Sequence, residues 1–137
     1  MATQIFVNLA VNDLNKSVEF FTKLGYTFNP QFTDEKATCM IISDTIYVML
    51  LTKPFFQTFT TKEIVDTSKA IECSIALSAD SKDAVNAMVD KAVAAGATVP
   101  NPATDYGFMY QHSFDDLDGH HWECVWMDPN GMPEHQG

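Results

Sequence analysis

The chain has 137 residues, 46% of them hydrophobic and 12% aromatic, which suits one folded domain with a sizeable core and excludes a disordered segment. Its 18 acids against 8 bases leave a net charge of −10, and without a basic run to displace counterions a nucleic-acid partner is excluded. No apolar run approaches the roughly 20 residues that span a bilayer, so no membrane partner is expected.

The start, MATQIFVNLAV, carries neither a basic segment nor a small-residue cleavage site, so a cytoplasmic location is expected. The first strand is predicted in FVNLAV, and Asp13 can cap the helix that follows by accepting a backbone N–H. In that helix Leu14, Val18, Phe21 and Leu24 recur at helical spacing, and Gly25 terminates it. Strands are expected at 26–32, 36–43 and 46–52, with Ser43-Asp44 as a hairpin turn. Residues 54–69 read as a linker, in which PFFQTFTTKEI contains a short helix.

Residues 74–81, SIALSADS, then repeat residues 6–13, FVNLAVND, at an offset of 68. Val7 falls on Ile75, Leu9 on Leu77 and Asp13 on Ser81. A second, longer helix carries Val85, Met88, Val89, Ala92 and Val93 and ends at Gly96. Strands follow at 97–104, 109–115 and 120–126, with Asp118-Gly119 as the last turn. The expected class is therefore α+β: two βαβββ modules, about 4–53 and 70–128, in a single domain over 1–130, followed by a polar tail at 131–137. Cys39, Cys73 and Cys124 sit in apolar strand-like runs without ligand spacing, which points to buried, reduced thiols.

A helix packed on one side of a sheet requires apolar residues on that side. Val7, Leu9 and Val11 form the helix-facing set of the first strand, and Phe6, Asn8 and Ala10 the other. Ile75, Leu77 and Ala79 face the second helix, and Ser74, Ala76 and Ser78 face away. In the last strand His121, Glu123 and Val125 alternate onto the open side, and Trp122, Cys124 and Trp126 onto the helix side. The two open faces are expected to curl into a curved, open barrel-like mixed sheet around a cavity.

The segments VNLAVNDLNKSVEFFTKLGY, IALS and FDDLDGHHWECVW together resemble the vicinal oxygen chelate superfamily, which includes glyoxalases, bleomycin resistance proteins and extradiol dioxygenases. The resemblance covers nearly the whole chain and implies a homodimer. It also implies, in the metal enzymes, a divalent ion held by residues of the first and fourth strands of each module. Those positions align here on Phe6, Leu50, Ser74 and Glu123. Phe6 and Leu50 have no electron pair to donate, and a catalytic divalent ion takes about three protein ligands. No bound cofactor is therefore expected, with a noncanonical site of His121, Glu123 and His112 or Glu72 as the exception.

The expected function is binding of a small organic ligand in an apolar cavity lined by Phe6, Asn8, Leu50, Ser74, His121 and Glu123, with Val48 near Glu123. Tyr106, Phe108 and Tyr110 form an aromatic wall able to stack on a flat ligand; packing beneath the sheet is the alternative. Glu123 would be the charged contact, for which an anchor for a cationic ligand, a general acid or base, and a structural acid all remain open. The alternative function is a lyase, isomerase or dioxygenase with a noncanonical metal or Glu123 as base. A third is a purely structural or dimeric interaction module. His120 at the turn and His135 in the tail need no functional role.

Overall fold

A computed structural model describes residues 3–131. The chain divides into two compact units, Met1–Asp66 and Thr67–Gly137, so the boundary falls inside the segment read as a linker. Each unit carries a four-stranded mixed sheet. This is the expected α+β class of two βαβββ modules, with one sheet to each module and neither closed into a barrel.

In the first unit the elements run β1 (Ile5–Val11), α1 (Leu14–Lys23), β2 (Thr27–Asn29), β3 (Ala37–Ile41), β4 (Ile46–Thr52) and α2 (Lys53–Gln57). The sheet order is β1-β4-β3-β2, with β1 and β4 parallel and the other pairs antiparallel. Asp13 caps α1 by accepting the Lys16 N–H at 3.1 Å. Gly25 ends it at φ 106°, a left-handed conformation that disfavours any side chain. Leu14, Ser17, Phe20 and Phe21 are the buried residues of α1. The strand expected at 26–32 stops at Asn29, because Pro30 cannot donate to the ladder; residues Pro30–Phe32 form a 3-10 turn. The short helix expected in the linker is α2, packed against β1 and β4.

In the second unit the order is β5 (Ser74–Ser78), α3 (Lys82–Ala94), β6 (Thr104–Asp105), β7 (Met109–Asp115) and β8 (His121–Met127). The sheet runs β5-β8-β7-β6, with β5 and β8 parallel, which repeats the first topology. Ser81 caps α3 by accepting the Ala84 N–H at 3.0 Å. Val85, Val89 and Ala92 are buried on α3, whereas Val93 is exposed. The strand expected at 97–104 is reduced to β6 and an isolated bridge between Thr98 and Asp115, since Pro100 and Pro102 interrupt the ladder between them.

Residues paired across a sheet share a face, so the register assigns every side chain. On β1 and β4, Val7 pairs with Val48 and Leu9 with Leu50. Leu9, Val48 and Leu50 are all buried in the core. This corrects two expectations. Leu50 and Val48 belong to the helix-facing side and cannot line the open face with Phe6 and Asn8. Beside those two residues stand Tyr47 and Met49. Cys39 and Cys124 are buried as expected, but Cys73 lies just ahead of β5 and is exposed.

Candidate functional site

The open face of the first module is aromatic and thioether in character. Phe6 stacks on Tyr47 with ring centroids 4.9 Å apart and planes 13° from parallel. Phe6 is 49% exposed. Asn8 is exposed too and turns its amide back onto the Phe6 carbonyl at 3.2 Å. At the other end of this face Ala10 and Leu51 are buried. None of Phe6, Asn8, Tyr47 or Met49 offers the imidazole or carboxylate that a divalent ion selects.

The open face of the second module is polar. Register places Ser74 beside His121, Ala76 beside Glu123 and Ser78 beside Val125, with Asp115, Ser113 and Gln111 continuing across β7. His121, Glu123 and Ser74 thus share a face, as the alternation predicts. The imidazole of His121 bridges two carboxylates: Nδ1 lies 2.7 Å from Asp115 Oδ1, and Nε2 lies 3.4 Å from Glu123 Oε2. The shorter contact is a hydrogen bond in which Nδ1 donates to the carboxylate; the longer one is an ion-pair distance. Among the described residues Glu123 accepts no hydrogen bond, so its carboxylate retains acceptor capacity.

A cavity of about 330 Å³ opens in front of this row, lined by Asn101, Thr104, Gln111, Ser113, His121 and Glu123 among others. Its polar lining departs from the apolar cavity expected, because Ser113, Gln111, His121 and Glu123 fall on one side of the alternation and the tryptophans on the other. A second cavity of about 330 Å³ shares Asn101 and His121 with the first and is bordered by Thr67, Ser68, Lys69 and Asp115.

The β7–β8 turn sets the position of His121, and its key residue escaped sequence reading. Asp116 is buried, at 7% exposure. Its Oδ1 accepts the backbone N–H groups of Asp118 and His120 at 2.9 and 3.0 Å, and its Oδ2 accepts the Trp122 indole N–H at 2.9 Å. Burial pushes its carboxyl above the ordinary aspartate value, against the opposing pull of His120 and of the hydrogen bonds from Trp122 and Asp118. Gly119 closes the turn at φ 87°, and a side chain there would collide with the Thr67 carbonyl. The Thr67 hydroxyl in turn donates to the Asp118 carbonyl. Asp115 is held from behind by its backbone bridge to Thr98. The only sequence signal for Asp116 was an acid at the start of a turn, shared with Asp115 and Asp118.

The other site expectations fare differently. Tyr110 pairs with Trp126 on the helix-facing side and donates its hydroxyl to Asn86 of α3 at 2.7 Å. It is a packing residue and not part of the open face, which corrects its assignment to an aromatic wall. Lys82 covers the Tyr110 and Trp126 rings at 5.8 and 5.7 Å and pairs with Asp105 at 3.0 Å. Asp105 is held below the usual carboxylate range by the Gly107 N–H and by Lys82. Tyr106 and Gly107 form the exposed β6–β7 turn, with Phe108 half-buried beside them. His112 pairs with Cys124, so its side chain is directed to the helix side, opposite to His121 and Glu123, although the residue also borders the cavity in front of them. Both its ring nitrogens are buried without a hydrogen-bond partner among the described residues. Burial pushes the Cys124 thiol up to about 11 and that of Cys39 upward as well, which leaves both poor nucleophiles. His135 lies outside the described residues.

Residues 4–124 match the profile of the Glyoxalase/Bleomycin resistance protein/Dioxygenase superfamily. The chain belongs to this superfamily. The hypothetical protein SA1046 from S. aureus is similar at 30% identity and a TM-score of 0.78, over 92% of this chain and 95% of that one. A glyoxalase/bleomycin resistance protein/dioxygenase family enzyme from Burkholderia phytofirmans PsJN shares the fold at 18% identity and a TM-score of 0.77, over 92% and 99% of the two chains. So does the fosfomycin resistance protein FosX from Listeria monocytogenes, at 17% identity and a TM-score of 0.65, over 92% and 93%. No protein with a curated description matches the sequence at a significant level.

The metal expected in the superfamily's metal enzymes can be tested against the residues present. In the first module, Phe6 stands at one ligand position and the paired residues of β4 on the same face are Tyr47 and Met49. In the second, Ser74 and Glu123 stand at the other two, and Glu123 is turned toward an imidazole nitrogen. Among the described residues no group of three or more His, Cys, Asp and Glu side chains has the geometry to hold a metal ion. The residues at these positions do not fit the superfamily's divalent ion.

Proposed function

We propose that this superfamily member binds a small organic molecule on the open face of its second module, with Glu123 as the charged anchor, and does so without the divalent ion. The observation that carries this reading is the row Asp115–His121–Glu123 bordering a cavity of about 330 Å³. Such a volume lies at the lower end of the ~300–1,000 Å³ typical of small-ligand sites. Asp115 holds the imidazole in place, and Glu123 has acceptor capacity that no described residue uses. A cationic or N–H-bearing group of a ligand supplies the missing donor as a charge-assisted hydrogen bond. Gln111 and Ser113 add neutral hydrogen-bonding groups to the same wall. The exposed Phe6–Tyr47 pair in the first module offers an apolar surface of its own.

A second reading rests on the same contact. A carboxylate at Nδ1 orients an imidazole for acid–base work at Nε2, which would make the chain a lyase or isomerase using His121 and Glu123. Elemental analysis of protein purified without added metal, followed by a thermal-shift screen in chelator, separates the readings. The binding role predicts stabilisation by amine-bearing compounds in chelator, reduced in Glu123→Gln. Stoichiometric Mn, Fe, Ni or Zn that is lost in Glu123→Gln would refute the metal-independent proposal. Turnover of a stabilising compound would favour the second reading. A homodimer in the cytoplasm is proposed on the superfamily resemblance, and light scattering across micromolar concentrations tests the dimer.

A further inference from the structure

Strand pairing sets two ranks of polar side chains against the cavity in front of Glu123. Thr104 of β6 pairs with Gln111 of β7, and Ser113 of β7 pairs with Glu123 of β8. Gln111 and Ser113 alternate onto the same face of their strand. With Asn101, these residues border one cavity of about 330 Å³. Ser113 is buried, and Thr104, Gln111 and Glu123 are half-buried. The side chains of Asn101, Thr104, Gln111 and Ser113 make no hydrogen bond among the described residues, and Glu123 accepts none. Polar groups withdrawn from solvent are ordinarily paired. Among the described residues that border the cavity, only Pro102 has a hydrocarbon side chain.

We infer that the ligand of this cavity is a polyhydroxylated amine, an amino sugar or amino polyol, with its ammonium on Glu123 and its hydroxyls on Ser113, Gln111 and Thr104. This rests on the reading of Glu123 as an anchor and adds the chemistry of the rest of the ligand. The positive end follows from charge. Asp115 keeps its negative charge while it accepts from His121, so two carboxylates flank one imidazole and the row stays net negative in either state of His121. Lys69 borders the neighbouring cavity and not this one. The hydroxyls follow from the wall. A hydroxyl both donates and accepts, so it matches an amide or another hydroxyl whichever way that group is turned. An apolar amine would displace water from the same groups without replacing its hydrogen bonds, which loses affinity. Residues opposite each other across a strand pair stand about 5 Å apart, and diagonal ones about 7–8 Å. Ser113 is opposite Glu123 and Gln111 is diagonal to it. The ligand therefore carries hydroxyls both beside its ammonium and several bonds away, as a six-carbon amino sugar does.

The test is calorimetric titration in chelator of glucosamine and its 3-amino and 6-amino isomers. Cyclohexylamine supplies the charge and a six-membered ring without hydroxyls, and glucose supplies the hydroxyls without the charge. At least one aminohexose is expected to bind about tenfold or more tighter than cyclohexylamine, the value of about one or two neutral hydrogen bonds. Gln111→Ala should narrow that margin about threefold or more. Thr104→Val, which keeps the shape of the side chain, serves as a second variant should the first fold poorly. If cyclohexylamine binds as tightly as every aminohexose, or the margin survives in both variants, the polyol inference is overturned and the anchor reading stands. If no amine binds, if glucose binds as tightly as the aminohexoses, or if the amines bind Glu123→Gln as tightly as the parent protein, the anchor reading fails and takes the inference with it.

Discussion

Replacing Leu50 by alanine tests the assignment of faces in the first module. Leu50 is fully buried, at 0% exposure, and pairs with the buried Leu9 on the helix-facing side. The change deletes three carbons, worth about 0.8 kcal/mol each in transfer. The cavity left behind adds to this, so a loss of about 3–4 kcal/mol is expected, inside the ~2–5 kcal/mol range of such substitutions. For a chain of this size that lowers the melting temperature by about 10 °C or more. Phe6→Ala provides the contrast. Phe6 is half exposed and loses mainly its stack on Tyr47, worth about 0.5–1.5 kcal/mol. Urea denaturation followed by circular dichroism gives both values. A Leu50→Ala loss no greater than that of Phe6→Ala would refute the register argument and return Leu50 to the open face.

Asp116→Asn places an amide N–H₂ where a carboxylate oxygen accepts either the Trp122 indole or the backbone of the turn, and should destabilise by about 1–3 kcal/mol at neutral pH in chemical denaturation. Because burial raises the folded-state pKa of Asp116 above its ordinary value of 3.8, its charge weakens the fold progressively as pH rises from that value through the folded one. The stability difference between the parent protein and Asp116→Asn should therefore shift over that window, and identical pH slopes would contradict it. His112→Leu replaces two buried, unpartnered nitrogens with hydrocarbon and should leave the melting temperature unchanged or higher; a loss above about 2 kcal/mol would mean that His112 has a partner. A thiol reagent should label the exposed Cys73 in the native state while Cys39 and Cys124 react only on unfolding.

The helices were readable because their ends carry side-chain chemistry. Asp13 and Ser81 accept N–H groups that have no other partner, and Gly25 and Gly96 take backbone angles that other residues avoid. The repeat then transferred the βαβββ order from one half to the other. Faces were readable only where polarity alternates. His121-Trp122-Glu123-Cys124 alternates cleanly and was placed correctly, but YVMLLT is apolar at nearly every position. Nothing in its composition separates Leu50 from Met49, and only pairing with β1 decides between them. Tyr110 misled for a related reason, since its ring suits a ligand platform as well as a helix-packing surface until Asn86 is seen to take its hydroxyl. Asp115 and Asp116 are adjacent and chemically alike. One orients His121 from the open face and the other is buried in the turn, a difference created by strand pairing across the hairpin and not by residue type.

The central claim is that Glu123 serves a ligand directly and not through a metal. Calorimetric titration of an alkylamine series into chelator-treated protein, with Glu123→Gln alongside, tests it most directly. Saturable binding in chelator that weakens about tenfold or more in the variant is the predicted result. Binding that appears only after a divalent ion is added back, and only with Glu123 intact, would contradict it.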